Sequence, residues 1–119
     1  MRIYLAGPMR GYKNFNFDTF NAAANKLRSE YPSVEVFNPA ERDINTYGDI
    51  FYSEKGDLDD IPPWYNHRET LKADTTAICD SDCIMMLPGW EKSTGARAEH
   101  ALAVALGIKI GYFREEDLL

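Results

Sequence analysis

The first 37 residues constrain the fold most, because they place a strand, a glycine-containing loop, an amphipathic helix and a second strand in direct succession. Residues 2–6, RIYLA, are a short apolar run that stops at Gly7-Pro8, as expected of a buried strand that runs out into a loop. From Phe17, apolar residues recur at Phe20, Ala24, Leu27 and Tyr31. That is helical spacing, and Asp18 sits where a helix N-terminus favours negative charge. The helix is expected to stop near Pro32, and Val34–Phe37 reads as a second strand closed by Asn38-Pro39. A β-α-β succession calls for a parallel pair joined by a right-handed crossover.

The segment from about 40 to 63 breaks this rhythm. It carries Asp43, Asp49, Glu54, Asp57, Asp59 and Asp60 with Gly48, Gly56 and Pro62-Pro63, and shows no sustained period. So long an acidic excursion in a small domain is expected to be a functional loop or a disordered one, with a lid as the favoured reading. Trp64 to Cys79 then fits a helix with Tyr65, Leu71 and Ile78 facing inward, and Asp82 to Leu87, DCIMML, is the strongest buried-strand signal. Pro88-Gly89 ends that strand, Ser93 to Leu106 forms an Ala- and Leu-rich helix with Gly107 as its stop, and Ile108 to Phe113 is the last strand. The expected fold is α/β: a small Rossmann-like (flavodoxin-like) three-layer sandwich whose parallel sheet has about four or five strands. All 119 residues fit one domain.

Composition narrows the partners. A net charge of −6 argues against a nucleic-acid polymer, whose affinity comes from clustered Lys and Arg. No apolar run is long enough to span a bilayer, and RIYLA has no apolar leader behind it, so a cytoplasmic protein without a membrane partner is expected. Cys79 and Cys83 have no His or Cys at zinc-site spacing, so they are expected to be reduced, packed thiols, with no metal and no cofactor.

Ligands of such sheets bind outside the carboxyl ends of the strands. Ser93, Thr94 and Gly95 lie at a strand-to-helix turn, where free N–H groups and the helix dipole suit an anion, although Ser93 or Thr94 could equally cap the helix. Glu99 follows within the same helix amid Ala96, Ala98, Ala101 and Ala103, small neighbours that leave room for a substrate. A carboxylate near a helix N-terminus is expected to be held ionised, as a nucleophile must be. The Gly7–Gly11 loop, GPMRG, offers a second anion cradle, because glycine permits close backbone approach and Arg10 carries a forked donor. It matches neither dinucleotide nor P-loop patterns. Asp74, Asp80 and Asp82 form a carboxylate-rich stretch from which one could protonate or orient a departing group. His67 and His100 read as structural.

Together, IYLAGPMRG and the stretch from Asp74 to Ile110 resemble the nucleoside 2-deoxyribosyltransferase family, most closely its branch of 2'-deoxynucleoside 5'-phosphate N-hydrolases. The resemblance implies that Tyr4 hydrogen-bonds the nucleophile, that Asp74 is the base-side aspartate, and that Glu99 in the G-x-x-x-E helix start is the catalytic glutamate. Deoxyribosyltransferases carry an aspartate where this chain has Ser93, so Ser93 points to the phosphate-binding branch. That branch has a first loop of G-S-I-R-G type; Gly7, Arg10 and Gly11 are kept, whereas Pro8 replaces the serine and offers neither hydroxyl nor N–H. The implied phosphate site is thus Gly7, Arg10, Gly11, Ser93 and Gly95.

The implied reaction is hydrolysis of the N-glycosidic bond of a deoxynucleotide by double displacement, in the manner of retaining glycosidases. Trp90 and Tyr12 are candidate stacking surfaces for the base. Base exchange between deoxynucleosides and a non-catalytic nucleotide-binding module are the alternatives. The resemblance also implies a homodimer.

Overall fold

A computed structural model of the chain describes residues 1–48 and 52–119. Four parallel strands form one sheet: β1 (Arg2–Ala6), β2 (Glu35–Phe37), β3 (Cys83–Met86) and β4 (Lys109–Tyr112), in the spatial order β2-β1-β3-β4. The helices are α1 (Phe17–Glu30), α2 (Pro39–Tyr47), α3 (His67–Cys79) and α4 (Thr94–Leu106).

Alternation along β1 sorts the chain into three layers. Ile3 and Leu5 point to a core with Phe17, Phe20, Ala23, Ala24 and Leu27 of α1. Tyr4 and Ala6 point to the opposite core with Ile78 of α3, Ala96 and Ala103 of α4, and Ile84 and Met86 of β3. The expected small Rossmann-like α/β sandwich is the observed one. Registers of Tyr4 with Phe37 and of Ala6 with Met86 align the carboxyl ends of β1, β2 and β3 on one edge. Because the chain moves from β1 outward to β2 and then back past β1 to β3, the loops after β1 and β3 diverge from a shared crevice at the carboxyl edge.

Several expectations change. The 40–63 segment is not irregular throughout, since its first part is α2. Asn38 caps that helix, accepting from the Ala40 N–H at 3.0 Å, and Pro39 occupies its first turn, where a missing N–H costs nothing. The helical period was hidden because α2 buries only Pro39, Ala40 and Asp43, too few apolar positions to mark a stripe. Downstream, the Asn14 N–H donates to Ser53 O, the Ser53 N–H to Asn14 Oδ1 and the Gly11 N–H to Gly56 O, so Ser53 and Gly56 are laced to the first loop. Asp49 lies outside the described residues.

At α3, Asn66 caps the helix through the Glu69 N–H, which leaves Trp64 and Tyr65 in the preceding turn. Tyr65 packs on the core and Ile78 is buried, but Leu71 is exposed, as is Tyr31, which sits beyond the end of α1. Cys79 is also exposed rather than packed, and Cys83 is half-buried; both are free thiols. No helix among the described residues is long and apolar enough to cross a membrane.

Candidate functional site

Tyr4 supplies the floor. It lies mid-strand on the face covered by α3 and α4, is fully buried, and its hydroxyl donates to Glu99 Oε2 on α4. Its ring stacks on Phe37 of β2, with centroids 5.3 Å apart and planes at 12°. Burial, reinforced by the charges of Glu99 and Asp74, pushes the Tyr4 phenol well above its ordinary value, so Tyr4 is a hydrogen-bond donor.

Glu99 is part-exposed as a residue, yet burial pushes its carboxyl up to about 8, with the Tyr4 bond opposing and the Asp74 charge adding to the rise. This corrects the expectation that the helix terminus holds Glu99 ionised. Removal from water outweighs the favourable donors, so below about 8 the unliganded carboxyl carries a proton.

Asp74 projects from α3 into an ion triad with two residues of α2. Arg42 donates from Nη2 to Asp74 Oδ1 at 2.7 Å and from Nε to Asp43 Oδ1 at 3.0 Å. The side chains of Arg42, Asp43 and Asp74 are only 17%, 5% and 13% exposed, and the guanidinium lies over the Phe37 ring, 5.9 Å from its centroid. Burial pushes Asp74 up to about 6; Arg42 pulls against this and Asp43 adds to it. Two carboxyl groups shifted to about 6 and about 8 in one site form an arrangement suited to acid–base and nucleophilic chemistry near neutral pH.

The predicted trio Tyr4, Asp74 and Glu99 therefore comes together from β1, α3 and α4. Asp80 and Asp82 do not join it. Asp80 closes the C-terminal end of α3, and Asp82 accepts from the Arg2 N–H at 2.9 Å at the opposite edge of the sheet. Sequence reasoning missed Arg42, Asp43 and Phe37. The available signal was Asn38-Pro39, which is a helix N-cap followed by proline as much as it is a strand stop.

The expected anion donors occupy the carboxyl edge with unequal freedom. Ser93 caps α4, its Oγ accepting from the Ala96 N–H at 3.2 Å, which leaves the hydroxyl proton to donate elsewhere. Gly95 is exposed in the first turn of α4, where backbone N–H groups have no partner within the helix. In the first loop, the Gly11 N–H is committed to Gly56 O at 3.0 Å and is not free for a ligand. Gly7 packs so tightly that an added Cβ would fall 2.7 Å from Leu87 Cβ; it is needed for strand-to-loop packing. Arg10 is exposed, with Nη2 3.2 Å from His67 Nε2 at the start of α3.

Of the two stacking candidates, Trp90 already stacks on His100, with centroids 4.3 Å apart, and His100 in turn meets the Tyr112 hydroxyl at 2.9 Å. Tyr12 lays its hydroxyl over Gly89, whose φ of +87° and lack of Cβ make room for it. A separate cleft of about 800 Å³ runs between β2 and α3; Phe37 lines it, but Tyr4, Asp74 and Glu99 do not.

In comparison with known protein families, residues 1–112 fit the family described as a domain of unknown function (DUF4406). No curated protein matches the chain, and no solved structure matches it.

Proposed function

This chain belongs to the DUF4406 family, and from the groups gathered around Glu99 we propose that it hydrolyses the N-glycosidic bond of 2'-deoxynucleoside 5'-monophosphates, releasing free base and deoxyribose 5-phosphate. The observation that carries the reading is the buried Tyr4 hydroxyl bonded to Glu99 with Asp74 close enough to shift both groups. A nucleophile held by a third group, beside a second carboxyl of raised pKa, is the constellation that double displacement at a sugar carbon requires.

Because Tyr4 occupies Oε2, Glu99 attacks C1' through Oε1. The bond from C1' to the base nitrogen breaks, its electron pair leaves with the base, and the base takes a proton from Asp74. In the second half, water attacks C1', gives a proton to Asp74, and Glu99 departs as carboxylate. The 5'-phosphate is held by Arg10, the Ser93 hydroxyl and the Gly95 N–H at the start of α4, where the helix dipole favours an anion. Two free thiols accord with a reducing compartment, and we propose that the reaction takes place in the cytoplasm. We further propose that the active species is a homodimer, which light scattering at micromolar concentration tests directly.

The deciding experiment incubates the protein with a panel of deoxynucleoside 5'-monophosphates and the matching nucleosides and follows free base by chromatography. Base release from the phosphates, abolished in Glu99→Ala, supports the reading. Incorporation of an added free base would mark base exchange instead, and heat of binding without product would mark a nucleotide-binding module.

A further inference from the structure

Arg42 lies outside every motif that pointed to the site, yet it touches the one carboxylate expected to handle the proton of the leaving base. Its fork is spent on two acids at once, Asp43 on its own helix and Asp74 across the gap to α3, and all three side chains are largely withdrawn from water. A surface Arg–Asp pair contributes little. A buried one is expensive to assemble and pins both partners in one geometry. Asp74 Oδ1 sits 2.7 Å from Arg42 Nη2, and a proton on that oxygen would face the guanidinium donors. Oδ2 is the oxygen left to gain and lose one.

Resting on the glycosidase reading above, we propose that Arg42 is a positioning residue: braced by Asp43, it holds Asp74 by Oδ1 and so confines the catalytic proton to Oδ2, the oxygen from which the departing base takes it. Phe37 serves the same end, since its ring both stacks on Tyr4 and lies beneath the Arg42 guanidinium, tying the nucleophile's support to the acid's support. The groups acting on Asp74 from its surroundings are Arg42 and Asp43 of α2, Tyr4 of β1, Tyr65 ahead of α3 and Glu99 of α4; among these, Arg42 is the permanent cation.

The test follows the Asp74 carboxyl by ¹³C NMR titration in the wild type, Arg42→Met, Arg42→Lys and Asp43→Asn, alongside the pH dependence of kcat/KM for base release. In Arg42→Met the Asp74 midpoint rises by more than one unit, which enlarges the fraction with Asp74 protonated about tenfold, yet kcat/KM still falls about tenfold, because a misplaced catalytic group costs about a hundredfold. Arg42→Lys keeps the midpoint within about half a unit, since a cation remains, but recovers only part of the rate because the fork is gone. In Asp43→Asn, which keeps Arg42 and so guards against loss of fold in the methionine variant, the Asp74 midpoint falls because a competing negative charge is removed. An Asp74 midpoint unmoved in both Arg42→Met and Asp43→Asn, or full rate in Arg42→Met, overturns the assignment. The two levels separate cleanly: absence of base release from the wild type with the titration shifts intact defeats the glycosidase reading alone, and base release without the shifts defeats only the role of Arg42.

Discussion

Removing one oxygen atom, in Tyr4→Phe, tests how the two carboxyl groups divide the work. In the proposed mechanism the reactive arrangement has Glu99 ionised and Asp74 protonated, the reverse of the arrangement favoured by carboxyls at about 8 and about 6. The two-unit gap makes the reactive arrangement about one part in a hundred of the singly protonated site. The kcat/KM profile of the wild type is then a bell with limbs near 6 and 8, set by gain of a second proton and loss of the last one. The Tyr4 hydroxyl donates to Glu99 Oε2 and holds that carboxyl down. A hydrogen bond to a charged group contributes about 1.5–3 kcal/mol, and each 1.36 kcal/mol is about one pKa unit. Its loss therefore raises Glu99 by about one to two units. The alkaline limb should move to about 9–10, the plateau should fall about 10- to 100-fold, and the variant and wild-type curves should converge above the new limb, where the reactive fraction depends on Asp74 alone. Base release measured from pH 5 to about 10.5 reads all three. A lowered plateau with an unmoved alkaline limb would sink the reasoning, because it would make Tyr4 a packing residue rather than the donor that governs the Glu99 proton.

Glu99→Gln should stabilise the fold as it abolishes turnover. The folded carboxyl is raised from 4.5 to about 8, so between those values the folded chain binds more protons than the unfolded one, and stability falls as pH rises through that window. At pH 8.5 the amide should be more stable by about 1–2 kcal/mol, visible as a Tm several degrees higher, with the difference vanishing near pH 4; an equal Tm at pH 8.5 refutes this. Ser93→Asp should keep the α4 cap, since aspartate caps as well as serine, and leave Tm unchanged. It should nevertheless cut kcat/KM for the 5'-phosphates at least about a hundredfold relative to the nucleosides by like-charge repulsion, and parallel losses on both substrates would contradict the phosphate site. Gly7→Ala should cost about 1–3 kcal/mol in chemical denaturation through overpacking against Leu87, and a change below half a kcal/mol would show that Leu87 yields freely.

The sheet and three of the helices were legible because their signals are periodic and apolar. RIYLA and DCIMML alternate between two cores, Phe17, Phe20, Ala24 and Leu27 line one helix face, and Gly107 closes α4 at a φ of +72°. The pairing of Tyr4 with Glu99 was legible only through motif spacing, since nothing in the composition joins Tyr4 to a glutamate 95 residues along the chain. What stayed hidden is polar and non-periodic. Arg42 and Asp43 look like solvated charges in a short helix, and their role comes from burial against Asp74, which only the tertiary fold supplies. Position alone reads Glu99 as ionised, whereas burial pushes it up to about 8, because helix-terminus electrostatics can be read from position and desolvation cannot.

The backbone lacing between Gly11 and Gly56, and between Asn14 and Ser53, has a consequence for how this domain can vary. Surface connections ordinarily absorb insertions and deletions at small cost. Here a Cβ on Gly56 would fall 2.3 Å from Tyr12 O, so the two segments are templated on each other atom by atom. Length changes should be rejected between Ser53 and Gly56, and grafting the first loop into a related scaffold would require moving both pieces as one unit.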